Sequence, residues 1–459
     1  MLYHLLLPLE SVVRAVRLIE SISFRAAFAA VLAFLVAVYV GPGIVASLAA
    51  RKIAGTALTG SGAVDADRLA KAKVPTMGGV ILLIGVGLSS LLFVRLDTPY
   101  TWATILSFLA FGALGALDDW RKLTRPGSQG LSERAKLGGQ VLIAFAVIAV
   151  LYGLGSAEDG RPWLRGPELK PSPYPATWVK EHRVAPGETL ASMAARYLGD
   201  EARAKDVAAL NGLTGADGAL LAPVVGSVVR LPAGLTDPGD RHRADVQLPF
   251  AKRFCLDLGL LLLPFGILVI VGASNAVNFT DGQDGLAIGC TATVAVTLTV
   301  TAYLVSRVDL SRELFLFHVP EAGELAIIGA ALFGGSLGFL WFNSYPATVF
   351  MGDTGSLAIG GILGVLAVAL RHELTLFLAG GMFVAEAGSV VLQRSWFKLT
   401  KRAAVRRGDP NPTGRRIFRC APFHHHYKMG GLHENKVTVR FWVVSVVCAV
   451  LALAAHKVR

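Results

Sequence analysis

The sequence predicts an all-α polytopic membrane protein of about ten transmembrane helices, carrying one small α+β extracytoplasmic insertion. Three observations predict it: 53% hydrophobic against 17% charged residues with a mean hydropathy of +0.56, a succession of long apolar runs, and a single polar interruption at 155–253. Soluble domains hold about 25% charged residues and are about 45–50% apolar even with glycine counted, so soluble, disordered and collagen-like classes are excluded. The net charge of +12 would suit nucleic acid, but membrane proteins gather Lys and Arg in cytoplasmic loops, so no nucleic-acid partner is expected. Cys255, Cys290, Cys420 and Cys448 show no paired spacing, and neither disulfides nor a thiolate metal site is expected.

A helix crosses the bilayer core of about 30 Å with roughly 17–25 residues. The runs that qualify, with two short ones, are 24–48, 78–96, 100–117, 136–154, 254–273, 286–305, 325–341, 356–370, 374–393 and 438–455. The short runs are 325–341 and 356–370, whose glycines suit tilted or protein-buried helices. Residues 1–23 read as an interfacial amphipathic helix interrupted by Glu10, Arg14, Arg17 and Glu20. The basic loops 51–73, 121–136 and 394–436, the last with eleven Lys/Arg against Asp409 and Glu434, fall on one side if both termini lie outside. That parity puts 274–285 and 342–355 inside and 155–253 outside. The chain thus divides into a first membrane domain at 1–154, linkers 155–177 and 235–253 around a small domain 178–234, and a second membrane domain at 254–459.

The outer domain reads as a strand before Pro186-Gly187, a helix that Thr189 can cap, a second helix before Asn211 and a strand ending at Pro232. Over about fifty residues this pattern resembles a lysin-motif (LysM) domain. The resemblance implies binding of N-acetylglucosamine-containing glycans such as peptidoglycan; a spacer of the same fold is the alternative.

Four polar clusters interrupt the apolar background. Asp118-Asp119 ends the third run, where adjacent carboxylates need a cation or proton unless they simply face water. In 274–287, Asn275, Asn278, Asp281 and Asp284 lie among glycines, as at a ligand site or a broken transporter helix. In 339–356, Asn343, Phe350 and Asp353 precede a helix whose opening N–H groups could face phosphate while Asp353 holds a metal and Phe350 stacks on a base. In 416–427, His424, His425 and His426 are consecutive, a poor geometry for zinc, and suit contacts to phosphate or sugar. Lys71, Lys122 and Lys136 add cations. The charge-derived topology sends all of these to the cytoplasmic face, which fits phosphoryl transfer from a nucleotide-activated donor to a membrane-held phosphate. A transporter would place ionisable residues at mid-span and show inverted repeats, and neither is read here.

Lys71 through Gly79, Asp118-Asp119 with Lys122, Asn275–Gly285, Val349–Ser356, Glu386 with Ser389 and Gln393, Pro422–His426 and Arg440-Phe441-Trp442 resemble the phospho-N-acetylmuramoyl-pentapeptide transferase family over roughly 360 residues. The resemblance implies a multi-pass protein of the bacterial cytoplasmic membrane with its active site inside, often a homodimer, and dependent on Mg²⁺. Such enzymes transfer phospho-MurNAc-pentapeptide from UDP-MurNAc-pentapeptide to undecaprenyl phosphate, giving lipid I and UMP. It implies that Asp353 binds Mg²⁺, that Asp118 and Asp119 form the pair near the lipid phosphate with Asp118 as base, and that His424 serves the phosphate site. Lys71, Asn343, Phe350, Asp281 and Asp284 are implied as nucleoside-side contacts; Asn275, Asn278, Lys122, Lys136 and Gln393 as supporting groups, with His425 and His426 beside the substrate.

Several positions depart from the family's pattern. Val74 stands where Thr is usual, Phe279 and Gln283 where Leu is, Lys428 where an acid is, and Leu432 where Trp is. The loop between Gln393 and His424 is longer by about a dozen residues, and the outer domain replaces a short loop.

Overall fold

The computed structural model describes residues 1–6, 14–50, 74–125, 128, 130–152, 168–171, 179–198, 201, 204–215, 219–232, 245–251 and 254–458. It divides into a membrane unit of Met1–Gly155, Leu263–Tyr303 and Glu321–Ala454, and a second unit of Ser156–Leu262, Leu304–Pro320 and Ala455–Arg459. The basic loop 51–73, Lys71 included, lies outside the described residues.

The start of the chain differs from the expected interfacial helix. Its described residues form α1 (Leu2–Leu6) and a 3-10 turn at Arg14–Glu20. Helices then follow the apolar runs: α2 (Ile22–Ala50), α3 (Gly79–Phe93), α4 (Pro99–Thr124) and α5 (Glu133–Tyr152). After the insertion come α8 (Leu262–Thr280), α9 (Leu286–Ser306), α10 (Val308–Glu313), α11 (Ala322–Asn343), α12 (Gly352–Leu370), α13 (Glu373–Ala379), α14 (Gly381–Arg406), α15 (Phe423–Met429) and α16 (Glu434–Ala455). Every one of the ten apolar runs carries a helix, in keeping with the expected architecture. Among the described residues eight helices are long and apolar enough to cross a membrane, and a ninth is the pair α13–α14, bent by 84°. The remaining run, α3, is apolar but has only 15 residues. The run at 254–273 opens as a strand, and 325–341 belongs to a full-length helix of 22 residues.

Local chemistry sets the ends. Thr98 accepts from the Thr101 N–H at 3.3 Å and Pro99 opens α4, a capped start whose missing donor costs nothing. α12 stops at Arg371, whose φ of 60° turns the chain into α13. The core is α12, buried along nearly its whole length, which explains why this run reads as short and glycine-rich: it faces protein, not lipid. Ala29, Ala33 and Ala37 of α2 recur every fourth residue and meet α11 where Gly338 lies against Phe34 and Ala37, the small-residue contact by which membrane helices approach closely.

A buried ion pair in this unit was not expected from sequence. Arg25 and Glu324, both buried, pair in a fork of 2.7 and 2.8 Å at the beginnings of α2 and α11. Arg25 also donates to the Phe93 carbonyl at 3.1 Å, and Glu324 accepts from the Arg95 N–H at 2.7 Å.

The second unit contains β1 (Glu168–Pro171), β2 (Val179–Arg183), α6 (Leu190–Leu198), α7 (Ala204–Asn211), β3 (Val228–Pro232), β4 (Asp245–Gln247) and β5 (Phe254–Asp257). β2 and β3 pair antiparallel, and α6 and α7 close a core of Val184, Leu190, Met193, Ala194, Ala204, Val207, Ala208, Val229 and Leu231. Thr189 and Ser192 cap α6 reciprocally, at 3.1 and 2.8 Å. The flanking segments, read as linkers, instead contribute β1 and β4, which pair with β5 at the start of the 254–273 run in a three-stranded antiparallel sheet of order β1-β5-β4. Gln247 of β4 donates to the Phe315 carbonyl at 2.6 Å, so the 304–320 loop and the insertion belong to one body.

Asn211 fastens the small β2–β3 unit. Its amide donates to Arg230 O and accepts from Arg230 N–H, both at 2.6 Å, and donates to Val207 O at 2.7 Å. Asn211→Ala removes all three and is expected to cost about 2 kcal/mol locally. Limited proteolysis of the intact chain should show faster cleavage within 179–232; an unchanged rate would contradict it.

Candidate active site

Four helix ends meet at the main site: the last turns of α4 and α8 and the first turns of α5 and α12. The approach is close because Gly115 of α4 lies on the backbone of Asp353 and Thr354, where any Cβ would collide. Gly352 takes φ +71°, which lets α12 begin directly beneath Asp119; a Cβ there would meet Asp119 Oδ2 at 2.7 Å.

The two adjacent aspartates have different tasks. Asp119, buried, accepts from the Asp353 N–H (3.3 Å), the Thr354 N–H (2.9 Å) and the Thr354 hydroxyl (2.8 Å), so it caps the N-terminus of α12 across the helix interface. Asp118 accepts from the Leu131 N–H at 2.6 Å and faces Lys122 Nζ at 2.6 Å. Asp353 Oδ2 meets Lys136 Nζ at 2.6 Å and Lys122 Nζ at 3.0 Å, while Oδ1 accepts from Asn278 Nδ2 at 2.7 Å. Asn278 also donates to Ser356 Oγ at 2.8 Å.

One oxygen from each of Asp118, Asp119 and Asp353 can lie within 4.8 Å of the others. All-oxygen donors of this charge suit a hard divalent cation, and the two ammoniums against Asp353 show that the carboxylates already face positive charge. The residues therefore fit Mg²⁺.

A second group lies one loop away. The pKa of Asp281, half-buried between α8 and α9, is pushed up to about 8 by loss of water first, then by the charges of Asp353 and Asp119. Next to it, Gly282 lies directly against His424 Nε2. His424 is fully buried at the start of α15; its N–H donates to Glu386 Oε1 at 3.1 Å and its Nδ1 faces Glu386 Oε2 at 3.2 Å. Nε2 has no partner among the described residues, so the ring is held from behind with its other nitrogen directed at the Gly282 loop.

The remaining expected residues are walls. Asn343 bridges Val349 O (2.9 Å) and Gly285 N–H (3.1 Å), and Asp284 Oδ2 accepts from Ala347 N–H (3.0 Å), which ties loop 281–285 to loop 344–351. Phe350 pairs by backbone with Pro75 and Gly78, both at 2.8 Å, and its ring is half-buried. Asn275 bonds Gln140 at 2.8 Å between α8 and α5. Gln393 holds the backbone of Ile417 and Phe418 at 2.9–3.0 Å. His425 packs on the His424 ring, and His426 accepts from the Arg419 N–H at 3.1 Å. Lys428 meets Glu434 at 2.9 Å, which accommodates a base at this position.

The role of Glu386, a residue of the Glu386–Ser389–Gln393 motif, does not follow from the sequence pattern. The residue corrects the expectation that no ionisable residue sits inside an apolar run; a carboxylate between Ala385 and Ala387 was itself the signal. Thr354 and Ser356, as partners of Asp119 and Asn278, were also missed.

The Glycosyl transferase family 4 model matches residues 225–371, a stretch that contains Asn278, Asp281 and Asp353. Over the whole chain and the whole of each relative, the protein is similar to the phospho-N-acetylmuramoyl-pentapeptide-transferases of Citrifermentans bemidjiense (35% identical), Maridesulfovibrio salexigens (34%) and Nitratidesulfovibrio vulgaris (35%). With identity at that level over the full length, and an acidic cluster held at converging membrane-helix ends, the chain belongs to the phospho-N-acetylmuramoyl-pentapeptide-transferase family.

Proposed function

We propose that this multi-pass membrane protein transfers phospho-MurNAc-pentapeptide from UDP-MurNAc-pentapeptide to undecaprenyl phosphate, releasing UMP and leaving lipid I in the bilayer. The observation that carries the reading is the Asp118–Asp119–Asp353 cluster with Lys122 and Lys136 against it. A pyrophosphate donor and a phosphate acceptor bring several negative charges together, and the two lysines lower that repulsion. Asp118 orients or deprotonates the acceptor phosphate, whose oxygen attacks the β-phosphorus as the bond to UMP breaks. Asp119 keeps α12 seated, and Asn278 fixes Asp353. Mg²⁺, held by Asp353 with Asp118 and Asp119 in reach, would supply charge neutralisation on the departing UMP. The resemblance assigns nucleoside contacts to Asp281, Asp284, Asn343, Phe350 and Lys71, and a phosphate contact to His424. Trapping a phosphorylated enzyme with the donor alone would favour two successive displacements instead.

The membrane is the bacterial cytoplasmic one, with both termini outside and the site inside. Support comes from the basic loops and from the direction of the helices, since the ends of α4 and α8 and the beginnings of α5 and α12 fall on one side. The resemblance further implies a homodimer, which cross-linking in native membranes tests.

UMP release with UDP-MurNAc-pentapeptide against a UDP-N-acetylhexosamine tests the substrate; preference for the second would assign another glycan pathway. Gly115→Ala should lower turnover about a hundredfold by separating α4 from α12, with KM little changed. Activity near wild type would contradict the close approach.

The β2–α6–α7–β3 body is read as a LysM-like peptidoglycan-binding domain, supported by its strand–helix–helix–strand order. Excising 179–232, which spares β1, β4 and β5, should leave transfer intact and abolish retention on peptidoglycan. Equal retention without the segment would refute the glycan role.

A further inference from the structure

We infer that the second half of α14 lies in the inner-leaflet interface and selects anionic phospholipid headgroups. α14 has 26 residues, about 39 Å of helix, more than a bilayer core requires, and it leaves α13 at 84°. Leu392, Trp396, Leu399 and Ala403 recur at helical spacing, and the first three are 51%, 44% and 58% exposed. A stripe of that size turned to water is unfavourable, whereas turned to acyl chains it is not. Lys398, Arg402 and Arg406 recur every fourth residue along the edge of this stripe, all exposed, and none enters an ion pair among the described residues. The stretch 394–416 holds eight Lys/Arg and one acid, Asp409, so its charge has no balance within the chain segment. On the other side of the helix Thr400 accepts from the Arg415 N–H at 2.8 Å and Phe397 packs on Gly414, so that side is occupied by protein. One face is therefore anchored and the other offers an apolar stripe with a row of cations beside it. Phosphate groups complement that row, and cations at an anionic surface each raise local binding by up to about fivefold.

The test uses the full chain in nanodiscs of phosphatidylcholine with a minority of phosphatidylglycerol, brominated on one lipid or the other. The Trp396 fluorescence component is isolated by comparison with Trp396→Phe. Brominated phosphatidylglycerol should quench it several-fold more than brominated phosphatidylcholine at equal mole fraction. Lys398→Gln/Arg402→Gln/Arg406→Gln should abolish the difference. So should about 0.5 M salt with the unaltered chain, an arm that does not depend on a variant folding. Equal quenching by both lipids, a preference that survives in salt or in the triple variant, or no quenching because a second copy of the chain covers the stripe, would each overturn the inference.

Discussion

Asp353→Asn is expected to reduce UMP release by at least about a thousandfold while the protein remains folded. The substitution keeps the side chain's size but removes the charge against which Lys122 and Lys136 are set at 3.0 and 2.6 Å. Two ammoniums then repel each other across a neutral amide, and the acidic cluster loses one of its three carboxylates. Folding should persist because the cap on α12 is supplied by Asp119, not by Asp353. The decisive measurement pairs UMP release with thermal unfolding in detergent. Residual activity of a tenth with normal stability would refute a charge-dependent role for Asp353.

The second large effect concerns Glu386. Glu386→Gln is expected to lower turnover about a hundredfold through His424, since the carboxylate holds both the backbone N–H and Nδ1 of that residue. An amide can keep both contacts only by donating to Nδ1, which forces the other tautomer and turns Nε2, directed at the Gly282 loop, from an acceptor into an N–H donor. If Glu386 acts as a positioning residue, its loss and that of His424 should not add: His424→Asn and the double variant should have the same residual rate. Multiplying effects would show that Glu386 acts elsewhere. Glu386→Ala would in addition leave a buried cavity and unpaired groups, and should destabilise the protein as well.

Much of the fold was legible because apolar runs dictate helices in a bilayer and polar interruptions stand out against them. Asp118, Asp119, Asp353, Lys122, Lys136 and Asn278 do meet, as convergence of loops on one side requires. What could not be read was the division of labour. Nothing in Asp118-Asp119 indicates that the second caps a helix more than two hundred residues later in sequence, because capping across an interface depends on how helices are set together. Asn343 and Asp284 looked like ligand contacts, yet Val349 O of the loop that follows it and Gly285 N–H of the facing loop take Asn343's amide, and Ala347 N–H takes one Asp284 oxygen. Polar residues in glycine-rich loops build walls as well as line them. The strands β1, β4 and β5 escaped notice because three or four residues carry little periodic signal, and β5 borders an apolar run.

The forked Arg25–Glu324 pair has a consequence for how the protein is made. Arg25 emerges from the ribosome nearly three hundred residues before its counter-ion. An unpaired guanidinium is costly inside hydrocarbon, so α2 should stay shallow, with Arg25 at headgroup level, until α11 arrives. Final seating of the first span is thereby made to wait for the seventh, and a chain truncated before Glu324 should leave its beginning exposed to quality-control proteases.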